Sequence, residues 1–456
     1  MKMQSVIFRE YDIRGVYDVD YDLDFAEQLG RAFISYISKK TQIKNPRVTL
    51  GYDARLSSPD IAKRLTDGMV ASGAQVFQLG QITSPISYFS TFHMKNISGG
   101  IMITGSHNPP EYNGFKISVG NTTIHGSEIK RLETIINAKD FVNGDGSSQE
   151  YDIFPEYIKR YKDEFAGIKP IPVVLDCGNG AAGCVARTLF ESVGLKPEIL
   201  FEQPDGTFPN HHPDPTVEKN LSDLKAKVKS TQSTVGIGFD GDADRIGVVD
   251  NNGRVIWGDE LMVLFSRDIL SSKPGQTIVG DVKCSDRLFA DVEKHGGRAI
   301  MWKTGHSLVK DKIREEKAAF GGELSGHIFF ADRNYGYDDA LYAGLRVVEI
   351  LSKTGKTFDE LLFDLPKAFN TPEIRIDTTE EKKHLIVDAL KNNFSENTDE
   401  FKVNFQDGLR VSFKNGWALA RASNTQPVLV LRFEANTKSD LDIIEKQFRN
   451  IVDPLL

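Results

Sequence analysis

The segment "RVTLGYDARLSSPDIAKRLTDGMVASGAQVFQLG" (residues 47–80) decides the fold class. Residues 47–52 read as a strand and 57–73 as a helix, with serines at its start and Pro59 in its first turn. "AQVFQLG" (74–80) is a second strand and "GGIMITG" (99–105) a third. Strands alternating with helices build a parallel sheet, and such sheets gather ligands at the carboxyl ends of their strands. The third strand runs into "ITGSHNPPEYNGFK" (103–116), which presents Ser106 on a turn bounded by glycine and proline. A serine in that company is ordinarily a turn residue. Its place at a strand end also suits a nucleophile or a phosphate carrier, with Lys116 ten residues on.

The same plan restarts twice. "INAKDFVNGDGSSQEYD" (136–152) is polar and glycine-rich, as a linker is. After it, "IPVVLDCGNGAAG" (171–183) is strand then glycine loop, and "STVGIGFDGDADRIGVVD" (233–250) is strand, loop, strand. Beyond residue 253, "QTIVGDVK" and "RAIMWKTGHS" are strand-then-loop units. "DDALYAGLRVVEILSK" (338–353) is an amphipathic helix with Leu341, Leu345 and Val348 on one face. The tail differs. "LRVSFKNGWALAR" (409–421) alternates about an Asn-Gly, a hairpin signal, and "SDLDIIEKQFRNIV" (439–452) is a closing amphipathic helix. The expectation is an α/β protein: three similar α/β domains with mostly parallel sheets (1–150, 151–252, 253–366) and a smaller C-terminal α+β domain (367–456).

The bulk numbers agree. A chain of 456 residues is too long for one ordinary core. Its 40% hydrophobic and 26% charged content are those of a soluble globular protein. A net charge of −8 argues against a nucleic-acid partner. Three cysteines, Cys177, Cys184 and Cys284, make no disulfide framework, and no Cys/His cluster has zinc spacing. The N-terminus becomes charged before a signal-peptide core develops, and no apolar run is long enough to span a bilayer. These point to a cytoplasmic protein with no membrane partner.

Three further stretches carry chemistry. In "FDGDADRIG", Asp240, Asp242 and Asp244 alternate between apolar runs. Carboxylates so close repel unless a cation neutralises them, and hard oxygen ligands at a glycine turn suit Mg²⁺. An EF-hand is excluded, since Arg245 stands at its sixth position and Asn251 at its twelfth. In "GGELSGHIFF" (321–330), Glu323, Ser325 and His327 alternate and, if extended, share a face suited to sugar hydroxyls. In "ARASNTQP" (420–427), Arg421, Ser423, Asn424 and Thr425 form an anion cradle, arginine being a bidentate phosphate donor. Taken singly, each reads equally as a structural turn. Ser106 and His107 make no hydrolase pair, because no GxSxG elbow is present.

In order, "FREYDIRG", "TGSHNPP", "DGDADR", "KTGHS", "GGELSGH" and "RASNTQP" resemble the α-D-phosphohexomutase family, in particular its bacterial and archaeal phosphomannomutase/phosphoglucomutase branch, over essentially the whole chain. The resemblance implies four domains around a central cleft. It implies that Ser106 is phosphorylated in the active form, and that Asp240, Asp242 and Asp244 hold Mg²⁺ together with that phosphoserine. It assigns Glu323, Ser325 and His327 to sugar binding and Arg421, Ser423, Asn424 and Thr425 to phosphate binding. Tyr11, Arg14, Lys116, Arg245, Lys283 and His306 match positions lining the family's cleft.

The implied reaction interconverts hexose 1-phosphate and hexose 6-phosphate, of mannose or glucose, through phospho-Ser106 and a hexose 1,6-bisphosphate. Lys116, His306 and His327 are the candidates for proton transfer, Lys116 and His306 first. Rival readings are a metal-dependent phosphoserine-type sugar phosphatase, a non-catalytic sugar-phosphate sensor and a phosphoglucosamine mutase. Members of the glucosamine branch tend to carry glutamine where this chain has Leu324. A monomer or weak homo-oligomer is expected.

Overall fold

The computed structural model describes residues 1–423 and 426–456. Its strands form four sheets, of seven, five, four and six strands in chain order. In the first, Arg47–Tyr52 lies between Gln75–Gln81 and Ile97–Ile103 and is parallel to both. Tyr112–Val119 then returns antiparallel to Ile97–Ile103, and Ile13–Val16 pairs antiparallel with it. In the second, Val173–Asp176 and Val235–Phe239 are parallel, and Ile246–Asp250 returns antiparallel. In the third, Thr277–Asp281 is parallel to Arg298–Trp302 and Phe320–Gly322, and Ile328–Phe330 returns antiparallel. The fourth sheet is antiparallel throughout.

The expected mostly parallel sheets are therefore mixed. Ser106, the aspartate triplet and the 323–327 segment each lie in the turn between the last parallel strand and its antiparallel return. Arg421 lies on the strand Gly416–Ala422, beside its antiparallel partner Val428–Ala435. Three mixed sheets thus deliver three turns of one kind, and the antiparallel sheet contributes a strand end.

Local chemistry explains most elements, with corrections. Ser58–Ala71 is the expected helix with Pro59 in its first turn. Its serines do not cap it: Ser58 Oγ donates to Asp53 Oδ1 at 2.8 Å, and Ser57 Oγ accepts from Asn113. The polar stretch 136–152 contains an edge strand, Ser147–Glu150, parallel to Gln75–Gln81. In the hairpin, Lys414 and Asn415 make the turn and Gly416 opens the second strand, paired with Phe413. Helix Ala340–Thr354 is buried on nearly every face rather than on one. It packs on both Val235–Phe239 and Ile246–Asp250, and Gly344 lies against Phe190 and Ile237.

That helix merges the second and third units into one apolar core, joined by Ile82, Phe89 and Met102 of the first. The first unit keeps a core of its own, and the C-terminal unit a smaller one around Leu431, Phe433 and Phe448. The C-terminal unit docks through an apolar contact of Trp417 and Leu419 on Val282 and through polar contacts around it. Arg410 stacks on Trp417 at 3.7 Å and donates to the carbonyls of Val282 and Cys284, while Arg432 donates to that of Lys283. Among the described residues, no helix is long and apolar enough to cross a membrane.

Candidate active site

Ser106 is buried at φ +49°, a left-handed conformation uncommon for a residue with a side chain. Arg55, fully buried, holds it there. The guanidinium has five N–H donors. It gives Nε to Asp53 Oδ2 (3.1 Å), Nη1 to the carbonyls of Pro109 and Tyr112, and Nη2 to those of Ser106 (2.9 Å) and Asn108 (2.6 Å). The whole turn is wrapped round one side chain. Ser106 Oγ then donates to Asp240 Oδ2 at 2.8 Å and lies 3.1 Å from His107 Nδ1.

Asp240, Asp242 and Asp244 are fully buried, with oxygens within 4.8 Å of one another. Asp240 Oδ1 accepts the backbone N–H of Asp244 (3.0 Å) and Arg245 (3.1 Å). Lys116 Nζ donates to Asp242 Oδ2 (2.6 Å) and to Asp244 Oδ2. Ser84 Oγ donates to Asp242 Oδ2 (2.6 Å), and the Ser84 N–H to the Asp242 carbonyl (2.9 Å). Burial alone would push the Lys116 ammonium down, but the carboxylates of Asp242 and Asp244 hold it well above the usual lysine range. Burial and its two neighbours push Asp240 up. Burial also acts to raise Asp244, but Lys116 and His327 override it and pull the group well down. Asp242 Oδ1 and Asp244 Oδ1 are buried with no hydrogen-bond partner. An all-oxygen set with orphaned carboxylate atoms and excess negative charge fits a hard divalent cation.

The 323–327 segment is a tight turn, not the extended face expected from its alternation. The Glu323 N–H donates to the His327 carbonyl (2.9 Å), and Gly326 turns at φ +84° against the Ile246 backbone. Glu323 spends both oxygens within the protein: Oε1 accepts the Gly305 N–H (2.6 Å), and Oε2 lies 2.8 Å from His327 Nδ1. Ser325 Oγ lies 3.2 Å from the same nitrogen. Arg245 Nε donates to His327 Nε2 (3.3 Å). His306 opens the helix His306–Glu316, stacks on His327 at 5.7 Å and meets Tyr11 edge-on at 6.4 Å. Burial first, then Lys310 and Lys116, keep His306 well below the ordinary histidine range. For His327, burial pushes down but Asp244 prevails, and the group is raised to about 9.

Thr304 joins three units. Its carbonyl accepts from Tyr11 Oη (2.8 Å), and its N–H donates to Asp407 Oδ2 (3.0 Å), which also accepts from Arg421 Nε (3.0 Å). Arg421 is thus buried and tied to the centre. Arg14 pairs with Asp12 and reaches Asn108 Oδ1 (3.4 Å). Lys283 Nζ lies 3.2 Å from Glu373 Oε2. Ser423 is buried, and its carbonyl accepts from Lys383 Nζ (2.7 Å). Asn424 and Thr425 lie outside the described residues. Arg55, Ser84, Asp338 and Asp407 are contributors that sequence reasoning missed. Arg55 had a faint signal, standing three residues past the strand Arg47–Tyr52 in "GYDARLSS".

Models of the phosphoglucomutase/phosphomannomutase family match along the chain: alpha/beta/alpha domain I over residues 5–143, domain II over 155–253, domain III over 257–369 and the C-terminal domain over 373–451. The chain belongs to this family. It is 45% identical over 448 residues, 98% of this chain and 96% of the other, to a phosphomannomutase/phosphoglucomutase of Pseudomonas aeruginosa. It is 41% identical over 452 residues (98% and 96%) to a phosphoglucomutase of Neisseria meningitidis. A solved phosphoglucomutase/phosphomannomutase family protein from Burkholderia thailandensis superposes with a TM-score of 0.92 at 40% identity, covering 99% of this chain and 98% of that one.

Proposed function

We propose that this chain is a phosphohexomutase that interconverts hexose 1-phosphate and hexose 6-phosphate, of mannose or glucose, through phospho-Ser106 and a bound hexose 1,6-bisphosphate. One observation carries the reading: a strained, buried serine hydroxyl donates to the first member of a buried aspartate triplet. Family membership and the names of the 41–45% identical relatives support it. The domains are assigned as 1–150, 151–252, 253–366 and 367–456.

Ser106 Oγ carries the phosphoryl group. A sugar hydroxyl attacks its phosphorus, the P–O bond to Oγ breaks, and the hydroxyl proton leaves to a base. The product bisphosphate then returns its other phosphate to Ser106. Asp240, Asp242 and Asp244, with phospho-Ser106, would hold Mg²⁺, which supplies charge neutralisation on the moving phosphoryl group. His306, buried beside Tyr11 and His327, takes and returns the proton; Lys116 braces the triplet. Glu323 orients His327, and Ser325 and His327 face the sugar. Arg421, Ser423, Asn424 and Thr425, with Tyr11, Arg14 and Lys283, grip the phosphate that is not reacting, while Arg245, beside Asp240 and His327, acts at the reacting one.

The test offers mannose 1-phosphate, glucose 1-phosphate and glucosamine 1-phosphate with Mg²⁺ and a trace of bisphosphate, and reads both isomer and free phosphate. Isomer formed from mannose or glucose with kcat/KM above that for glucosamine is expected. Free phosphate without isomer would make the protein a phosphatase instead.

A further inference from the structure

Beside the triplet lies a second group of ligand atoms with a different chemistry. Asp244, His327 and Asp338 are buried, and each offers an atom within 4.8 Å of the others. Asp244 Oδ1 lies 3.4 Å from His327 Nε2, and Asp338 Oδ2 lies 3.6 Å from His306 Nδ1. With Zn–N and Zn–O bonds of about 2.0–2.2 Å, the edges of a tetrahedral site are about 3.3–3.6 Å. Three of these atoms, Asp244 Oδ1, Asp338 Oδ2 and His306 Nδ1, are buried with no hydrogen-bond partner.

The other oxygens of the two carboxylates are already engaged. Lys116 takes Asp244 Oδ2, and Lys310 donates to Asp338 Oδ1 at 3.0 Å. Glu323 Oε2 sits 2.8 Å from His327 Nδ1 and Asp244 Oδ1 3.4 Å from Nε2, so an entering cation takes Nε2 in place of its proton while Glu323 holds the Nδ1 N–H. A carboxylate behind an imidazole is the usual outer support of a metal-bound histidine.

We propose that Asp244, His327 and Asp338, with a solvent molecule in the fourth position, form a transition-metal site that takes Zn²⁺ next to the all-oxygen triplet. One imidazole, two carboxylates and solvent suit Zn²⁺ or Co²⁺, whereas three carboxylates suit Mg²⁺. Arg245 gives up its contact with Nε2 when the ion enters. Zn²⁺ there withdraws His327 from the sugar and draws Asp244 away from Asp240 and Asp242, so it inhibits. The site does not depend on the mutase reading, because its test reads metal rather than turnover.

The full chain, saturated with Mg²⁺, is titrated with Co²⁺, whose tetrahedral complexes absorb visible light far more strongly than octahedral ones. One Co²⁺ per chain with a tetrahedral spectrum is expected, displaced by Zn²⁺ and not by more Mg²⁺. Asp338→Asn and His327→Gln should lose the band, Glu323→Gln should weaken Co²⁺ binding about 10–100-fold, and Asp240→Asn should keep the band. Absence of bound Co²⁺ under saturating Mg²⁺ overturns the proposal. So does an octahedral spectrum, or a band lost in Asp240→Asn. Should Asp338→Asn fail to fold by circular dichroism, the wild-type and Asp240→Asn titrations decide.

Discussion

Ser106 Oγ donates to Asp240 Oδ2 across 2.8 Å although 134 positions separate the two residues. The approach depends on Gly241, where a Cβ would run into the Ser106 carbonyl oxygen. Gly241→Ala therefore pries the two turns apart. A displacement near 1 Å costs about 100-fold in rate, so kcat should fall by that order while circular dichroism stays unchanged. Full activity in this variant would show that the two turns need not touch.

In the proposed reaction Ser106→Ala removes the phosphoryl carrier. Turnover should drop by about 10⁴-fold or more, the scale seen when a covalent nucleophile is deleted. The purified variant should take up no radiolabel from labelled bisphosphate. Label recovered on another residue would relocate the phosphoryl carrier.

Arg55 is buried with every N–H bonded, four of them to the Ser106 turn. Arg55→Ala removes the cation buried beside Asp53 and the side-chain donors to four carbonyls, and should cost about 3–5 kcal/mol in denaturant unfolding, as for a broken buried pair. Arg55→Lys keeps the charge but cannot fork. It should lower kcat more than it raises KM, since the substrate-gripping loops lie elsewhere. Equal effects on the two constants would mean that Arg55 serves only stability.

Lys116 occupies the triplet as a competing cation. At an effective dielectric near 20, a charge about 4 Å away is worth about 4 kcal/mol. Lys116→Met should therefore bind Mg²⁺ at least about tenfold more tightly, a shift of about 1.4 kcal/mol, even as turnover falls. Calorimetric titration of the unphosphorylated protein reads this directly, and an unchanged affinity would contradict it.

His125 and Asp311 link the first and third units at 2.8 Å. The bond to Asp311 outweighs burial and raises His125 above 6.5; Glu10 and Glu128 add to this. Burial acts to raise Asp311, but His125 and Arg314 lower it below 3.8. The histidine's contribution is complete below pH 6.5 and is lost as pH rises through its raised value. The aspartate's is present above 3.8 and is lost as pH falls through its lowered value. Wild type should exceed His125→Ala by about 0.2–1 kcal/mol between pH 4 and 6, and the gap should shrink above pH 7. A gap that widens with rising pH would reverse the assignment.

The four functional turns were legible because each follows an apolar strand and is marked by glycine, proline or a run of polar residues. Their antiparallel return was not. "YNGFKISV" (112–119) is buried on both faces, and an apolar run carries no sign of its neighbour's direction. Glu323, Ser325 and His327 read as an alternating strand because periodicity cannot see Gly326 turning the chain. Arg55 had only its place just past a strand to mark it, because an arginine in a polar stretch normally faces water. Asp338 stands beside Asp339, which caps the helix Ala340–Thr354, and nothing local tells a cap from a buried ligand. The mutual approach of Ser106, Asp240 and His327 came only from resemblance to a family.

The clasp of Arg410, Trp417 and Arg432 on the carbonyls of residues 282–284 sets how the C-terminal unit can travel. A swing about the chain near residue 370 cannot leave those carbonyls behind without stranding two buried guanidiniums. Lys283 and Arg421 therefore ride together as the two prongs of one set of tongs.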